Sequence, residues 1–128
     1  GKPPDPLDTL PYAPENAGWT FALIRLAGSA FVIAVIEEFF WRSFLYRWML
    51  GKFFLQVNPR VMHVGMLLMV SLIFGVEHAR WFAGFLAGLV YGWFYIRTGD
   101  VWSVSLAHVV TNFILGWYVL ATGSYAFW

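Results

Sequence analysis

The chain has 128 residues, of which 60% are hydrophobic, 21% are aromatic and only 12% are charged, and its formal net charge is +1. Soluble domains carry about 25% charged residues, so too few polar side chains remain to coat a soluble globule, and the near-neutral charge excludes a nucleic-acid-binding protein. There is no Cys, which excludes a disulfide framework and a thiol nucleophile. The composition instead indicates an all-α, polytopic membrane protein.

The first 18 residues differ in composition from the rest of the chain. They hold five of the six prolines and three of the seven acidic residues, which predicts an extended, solvated segment or loop at residues 1–18. They contain no apolar stretch of the kind that forms a signal peptide. Because the sequence begins without Met, we expect it to be part of a longer protein with upstream spans. Residues 19–128 are then the membrane-embedded core.

This core contains four apolar stretches separated by short polar turns. A membrane-spanning helix needs about 20 residues, so these stretches predict a bundle of about four transmembrane helices. The predicted spans are about residues 20–50, 61–78, 81–97 and 101–121. The third span carries Gly84, Gly88 and Gly92 at steps of four, and such a stripe of small residues predicts close packing against another helix.

Three charged side chains interrupt the first predicted span. Glu37 and Glu38 are adjacent, and Arg42 follows Glu38 by one helical turn, so Glu38 and Arg42 share a helix face and can form an ion pair. Glu37 points about 100° away and has no cation within its own helix. Ionisable residues inside a membrane are costly and usually functional. A structural ion pair explains Glu38 and Arg42, whereas Glu37 is a candidate catalytic group.

Three further polar residues lie in or beside the later spans. His78 follows the second span, and His108 and Asn112 lie one helical turn apart on the fourth. Each also has a plain structural interpretation, but together with Glu37 they suit the activation of a water. The carboxylate and His78 can share the water, while His108 and Asn112 can donate hydrogen bonds to a developing oxyanion. This chemistry is peptide hydrolysis without a covalent intermediate.

Other intramembrane hydrolase chemistries lack their motifs. There is no His-Glu-x-x-His zinc motif and no Gly-x-Ser-x-Gly motif. Asp100 is the only Asp after the N-terminal segment, which excludes an aspartate dyad. Zinc remains an alternative, because Glu37, His78 and His108 are a two-His, one-carboxylate set of the kind that leaves a metal position open.

The candidate residues occur in three motifs that resemble those of a known family. In chain order these are Glu-Glu-x-x-x-Arg from Glu37 to Arg42, Phe-x-x-x-His from Phe74 to His78, and His-x-x-x-Asn from His108 to Asn112. This order on successive apolar segments resembles the CPBP family, which comprises CAAX proteases and bacteriocin-processing enzymes and is also called Abi. The resemblance covers about residues 19–128 and implies a glutamate-type intramembrane endopeptidase related to the type II CAAX prenyl endopeptidase.

The same resemblance implies roles for individual residues. Glu37 would be the general base and His78 its partner on the water. The oxyanion site would be formed by His108 and Asn112, and the ion pair of the first motif would hold that motif in shape. No cofactor is expected, with zinc as the secondary option because the family has been regarded as metal-dependent.

Two longer segments, residues 74–99 and 106–128, look like one bacterial branch of that family. This branch comprises the CAAX prenyl protease-related proteins found with exosortase and PEP-CTERM sorting systems. The likeness implies the bacterial inner membrane, with lipid, a peptide or membrane-protein substrate and exosortase-system components as partners. The branch is not expected to act on prenylated CAAX proteins, and known family members have more than four spans.

Two alternatives from other classes stay open: a catalytically silent membrane scaffold or immunity factor of the same fold, and a proton-coupled carrier. Four short spans without an inverted repeat disfavour the carrier.

Straight antiparallel helices also raise a difficulty for the protease. They put Glu37 and His78 about 20–25 Å from the end of the bundle near Arg97, and His108 about 10 Å from it. Hydrolysis requires these groups to reach one water.

Overall fold

The computed structural model describes residues 13–127, and this range is helical with no β-strand. The predicted all-α fold is therefore confirmed for that part of the chain. The helices, in chain order, are α1 Pro14–Ala17, α2 Trp19–Leu50, α3 Val64–Val76, α4 Trp81–Thr98 and α5 Val101–Thr122. Most of the predicted Pro-rich segment, residues 1–12, lies outside the described residues.

The longest helix, α2, runs through the adjacent carboxylates. Two of its stretches, Gly28–Ile33 and Phe39–Tyr46, have the wider π-helical hydrogen-bond pattern, and Glu37 and Glu38 lie in the α-helical segment between them. π-helical turns are rare and occur frequently at functional sites. The extended backbone of Gly51 ends α2.

The segment after α2 folds back along the last turns of that helix. The Arg47 guanidinium donates hydrogen bonds to two loop carbonyls at 3.0 and 3.1 Å. The Tyr46 hydroxyl donates to the Val61 carbonyl at 2.8 Å and accepts from the backbone N–H of His63 at 2.9 Å. His63 then caps α3, which begins at Val64 and not at the predicted Val61.

Helices α3 and α4 pack closely because small residues form their contact. A Cβ atom on Gly84 would lie 3.1 Å from Gly75 Cα, and one on Gly88 would lie 3.0 Å from Ser71 Cα. Neither position has room for a side chain against the facing backbone. The predicted role of the glycine stripe as a packing face is therefore confirmed.

A tight turn joins α4 to α5. Gly99, with φ at 65°, adopts the left-handed conformation that ends α4. Asp100 then caps α5: its Oδ2 accepts from the Ser103 hydroxyl at 2.6 Å and from the Ser103 N–H at 3.1 Å, and its Oδ1 accepts from the Trp102 N–H at 3.2 Å. These hydrogen bonds hold the pKa of Asp100 below its ordinary value of 3.8, and the bond from the Ser103 hydroxyl has the largest effect.

The Asp100 cap predicts a pH dependence of stability. Because the folded pKa is depressed, the cap contributes fully above the unfolded value of 3.8 and is lost as pH falls through the lower folded value. We expect the wild-type thermal midpoint in detergent micelles to exceed that of Asp100→Ala at about pH 6, and the difference to shrink below about pH 4. In Asp100→Asn, which caps without titrating, the difference from Asp100→Ala should not change with pH. A wild-type advantage that is the same at all these pH values would contradict the cap.

The described residues form two compact units. The first comprises residues 13–34 and 109–127, and the second comprises Val35–His108. The core of the first unit consists of Ala13, Ala22, Leu26, Val119, Leu120 and Tyr125. The core of the second unit is rich in aromatic side chains, among them Trp41, Tyr46, Phe74, Tyr91 and Tyr95.

Two helices of the described residues, α2 and α5, are long and apolar enough to cross a membrane. Both helices carry large apolar side chains that are exposed, for example Ile24 on α2 (65% exposed) and Ile114 on α5 (63% exposed). Exposed apolar side chains of this size favour contact with lipid. The apolar helix α3 has 13 residues, fewer than the about 20 that span the hydrocarbon core. The predicted count of four spans is therefore not confirmed, and the boundary at residue 18 stays a prediction.

Candidate active site

The two adjacent carboxylates of α2 have different surroundings. The Glu38 side chain is completely buried, whereas the Glu37 side chain is 26% exposed. Successive helical side chains point about 100° apart, so the two carboxylates enter different surroundings, and Glu38 is enclosed while Glu37 is partly open. Glu37 is therefore the carboxylate of this pair that a water molecule can reach.

Glu38 is held by a guanidinium and an imidazole. Its Oε1 accepts a hydrogen bond from Arg42 Nη1 at 3.3 Å and lies 2.7 Å from His108 Nδ1. The predicted ion pair between Glu38 and Arg42 is thus confirmed. An ionised carboxylate only accepts hydrogen bonds, so His108 Nδ1 carries a hydrogen. Within residues 13–127, Glu38 Oε2 and Arg42 Nε have no hydrogen-bond partner.

Arg42 is fixed by a carbonyl and two aromatic rings. Its Nη2 donates to the Gly88 carbonyl at 3.1 Å. The guanidinium carbon lies 4.6 Å from the centroid of the Phe74 ring and 5.6 Å from that of the Tyr91 ring. Cation–π contacts of this kind stabilise a cation that has been removed from water. The close packing of the glycine stripe brings the Gly88 carbonyl within reach of Arg42.

The His108 imidazole lies between the two carboxylates. With Nδ1 bonded to Glu38, its Nε2 lies 3.6 Å from Glu37 Oε2. This distance is longer than a direct hydrogen bond, so the two atoms face each other without being bonded. The ring is stacked on Tyr91, with centroids 4.6 Å apart and an interplanar angle of 23°, and the Phe74 ring lies edge-on at 6.2 Å.

The expected difference in depth between Glu37 and His108 is wrong. About 20 Å of helix follows Glu37 and about 10 Å precedes His108, yet their side chains are 3.6 Å apart. The reason is that the helix ends are not level. The loop after α2 folds back and is bonded to Tyr46, so α3 begins level with Tyr46 and not with the end of α2 at Leu50.

His78 lies just beyond the C-terminus of α3. Its Nδ1 is 2.6 Å from the Phe74 carbonyl oxygen, which only accepts, so Nδ1 carries a hydrogen and Nε2 is the atom with the lone pair in the neutral form of the ring. The ring is partly buried and packs on Phe74, with centroids 4.4 Å apart. His78 also interacts electrostatically with Glu37. Of the two predicted catalytic histidines, the second unit places His108 3.6 Å from Glu37, whereas the role of His78 beside Glu37 stays a prediction.

Asn112 belongs to the first unit, one helical turn after His108 along α5. Its Nδ2 donates to the Ser29 carbonyl at 3.2 Å. An amide nitrogen has two hydrogens, so this bond orients the group and uses one of its two donors. The role of Asn112 at an oxyanion site stays a prediction.

Two members of the network were not predicted as site residues. Gly88 contributes a backbone carbonyl, which no sequence motif marks, and its spacing indicated packing alone. Tyr91 is one of many aromatic residues in apolar segments. The sequence held one indication that these two residues belong to the site. Gly84, Gly88 and Tyr91 are spaced by four and three residues and therefore share one face of α4.

The alternative of a zinc ion held by Glu37, His78 and His108 stays a prediction, and the described residues give it no support. Within residues 13–127, no three His, Asp or Glu side chains are grouped so that they could hold a metal ion. Each histidine donates from Nδ1, that of His108 to Glu38 and that of His78 to a backbone carbonyl, which leaves Nε2 as the ring atom available to a metal or a water.

Comparison with known proteins identifies a family. The family model described as type II CAAX prenyl endopeptidase Rce1-like matches residues 18–114, a range that includes all three motifs. No curated protein and no solved structure matches the chain. The match confirms the resemblance to the CPBP family, whereas the association with exosortase stays a prediction. The chain belongs to the Rce1-like family of type II CAAX prenyl endopeptidases, which are membrane-embedded CAAX-type proteases.

Proposed function

We propose that the protein is a glutamate-type intramembrane endopeptidase that hydrolyses a peptide bond with a water activated by Glu37. The proposal rests on the convergence of Glu37, Glu38, Arg42 and His108 in one cluster among apolar helices. Burying such a cluster is costly, and clusters of this kind concentrate at functional sites. The cluster also leaves one carboxylate accessible, as hydrolysis requires.

Glu37 is the proposed general base. Glu38 is completely buried and already accepts from Arg42 and His108, whereas the Glu37 side chain is partly exposed and its Oε2 lies 3.6 Å from His108 Nε2. A general base must lie within hydrogen-bond reach of the proton that it removes. A water hydrogen-bonded to Glu37 meets that condition.

His78 is the proposed second partner of this water. Its Nδ1 donates to the Phe74 carbonyl, so the neutral ring offers Nε2 as an acceptor. It can accept a hydrogen bond from one O–H of the water while Glu37 accepts the other hydrogen.

His108 and Asn112 are the proposed donors to the oxyanion. Because His108 Nδ1 is committed to Glu38, Nε2 can donate only when the ring is the imidazolium. His108 would then supply positive charge as well as a hydrogen bond, and the buried Glu38 carboxylate would balance that charge. Asn112 would supply a neutral donor from its amide.

The steps balance without a covalent intermediate. The water oxygen bonds to the scissile carbonyl carbon as Glu37 takes the proton, and the carbonyl oxygen becomes an oxyanion. When the carbonyl re-forms, the C–N bond breaks and the amine leaves with the proton carried by Glu37. Glu38 and Arg42 position His108 throughout, and neither one exchanges a proton.

We propose the bacterial inner membrane as the location of this reaction. The exposed apolar side chains of α2 and α5 support contact with membrane lipid. The substrate would be a peptide or a membrane-protein segment that reaches Glu37. Components of an exosortase system are proposed partners on the sequence likeness alone.

The proposal is tested with the full chain in liposomes and two internally quenched peptides, one ending in a farnesylated CAAX sequence and one unprenylated. We expect cleavage of at least one peptide, and no loss of the rate with 1,10-phenanthroline, because the proposed steps use no metal. Inhibition by the chelator that zinc reverses would contradict a metal-free mechanism. Cleavage of neither peptide would contradict the protease and favour the silent scaffold.

A further inference from the structure

We propose that Tyr91 is a positioning residue whose aromatic ring fixes the plane of the His108 imidazole. The consequence of this contact for catalysis rests on the proposed function, whereas the contact itself does not. Tyr91 lies outside all three motifs, and only its ring is required by the inference.

The His108 ring needs a restraint besides its hydrogen bond to Glu38. Rotation of a histidine ring about χ2 is governed by a broad torsional potential, and one hydrogen bond fixes one atom and not the ring plane. The Nε2 atom can face Glu37 only while that plane is held. A second contact is therefore needed to keep the two nitrogens on their separate carboxylates.

Tyr91 supplies this contact. Its ring lies nearly parallel to the imidazole, with centroids 4.6 Å apart and an interplanar angle of 23°. Both residues are buried, with 6% of Tyr91 and 3% of His108 exposed, so water does not compete for the stacked faces of the two rings. Stacked rings at this separation attract each other and resist rotation out of the shared plane.

The backbone of α4 makes the stack rigid. Gly84 and Gly88 hold α4 against α3 with no room for side chains between them. The same helix face presents the Gly88 carbonyl to Arg42 and, three residues later, the Tyr91 ring to His108. One helix thus holds both the cation and the imidazole that contact Glu38.

Tyr95 offers a matched control on the same helix. It lies one turn after Tyr91, is 2% exposed, and belongs to the same apolar cluster with Val104. It interacts with Ser43 and Arg47 rather than with His108. Loss of the Tyr95 ring therefore measures what the removal of a buried tyrosine does to the fold without removal of the stack.

The test is NMR spectroscopy of the histidine rings in detergent micelles. The chain has three histidines, so His63→Gln and His78→Gln assign the remaining ring signals to His108. In the wild type we expect contacts between the ring protons of Tyr91 and His108 and an upfield ring-current shift of the His108 ring protons. We expect Tyr91→Phe to keep that shift, and Tyr91→Met to lose it.

Activity on a cleaved peptide supplies the second readout. We expect Tyr91→Met to lower kcat about 10- to 100-fold with KM unchanged, because a displaced catalytic group slows chemistry more than binding. Tyr91→Phe should restore wild-type kcat, and Tyr95→Met should keep it.

Each outcome decides the proposal. It is overturned if the wild type shows no contact between the two rings, a result that needs no variant to fold. It is also overturned if Tyr91→Met keeps the ring-current shift, or if Tyr95→Met loses as much kcat as Tyr91→Met. A further outcome is that no peptide is cleaved, while the ring-current shift of His108 is kept in Tyr91→Phe and lost in Tyr91→Met. In that case the positioning role stands and the protease function fails.

Discussion

Replacement of Glu37 by Gln is expected to lower kcat by roughly 10²- to 10⁴-fold, because a general base contributes that much to proton transfer. The amide has nearly the shape of the carboxylate but cannot take a proton from water. KM and the thermal midpoint should stay near wild type, because the Glu37 side chain is partly exposed and makes no ion pair with Arg42. The measurement is steady-state kinetics on a cleaved quenched peptide.

Glu77→Gln is the matched control for this variant. Glu77 is an exposed carboxylate adjacent to His78, so its replacement changes the local charge without touching the cluster around Glu37. It should retain wild-type kcat. The assignment of Glu37 would fail if Glu37→Gln kept more than about a tenth of wild-type kcat, since a general base is worth at least about 10²-fold.

Replacement of Arg42 by Met is expected to lower the free energy of unfolding by about 3–5 kcal/mol, the usual cost of breaking a buried ion pair by removing one partner. Glu38 is completely buried and would lose the cation that compensates its charge. The Gly88 carbonyl and the Phe74 ring would lose contacts as well. The measurement is SDS-induced unfolding of the full chain in mixed micelles.

Arg97→Met is the surface control, and we expect it to change the free energy of unfolding by less than about 0.5 kcal/mol because Arg97 is exposed. The double variant Glu38→Gln with Arg42→Met should recover part of the loss. The neutral amide no longer needs a cation, and its oxygen can still accept from His108 Nδ1. A single Arg42→Met variant as stable as Arg97→Met would contradict the buried pair.

Local features of the site could be predicted from the sequence because they depend on helical periodicity. The spacing of Glu38 and Arg42 predicts their ion pair, and the structure places their charged atoms 3.3 Å apart. The steps of four between Gly84 and Gly88 predict a close helix contact, and both meet the backbone of the facing helix. Such patterns need no knowledge of how distant segments are arranged.

Features that depend on non-local geometry could not be predicted in this way. The helix levels that bring Glu37 to His108 depend on the loop that folds back to Tyr46, and no local pattern encodes that contact. Tyr91 could not be distinguished among abundant aromatic residues, because its stack on His108 depends on the depth and rotation of α5. The length of the apolar stretches does not give the number of spans either. The second stretch forms α3, which has 13 residues, fewer than the roughly 20 that cross the hydrocarbon core.

The most direct test of the central claim is a single turnover in H₂¹⁸O with enzyme in excess over a cleaved peptide. If Glu37 activates a water, the first product carboxylate should carry ¹⁸O and the Glu37 carboxylate should carry none, as measured by mass spectrometry of product and digested enzyme. If Glu37 instead attacks the peptide and forms an anhydride, water attack at the Glu37 carbonyl puts ¹⁸O into Glu37 and leaves the first product unlabelled, which would contradict the account.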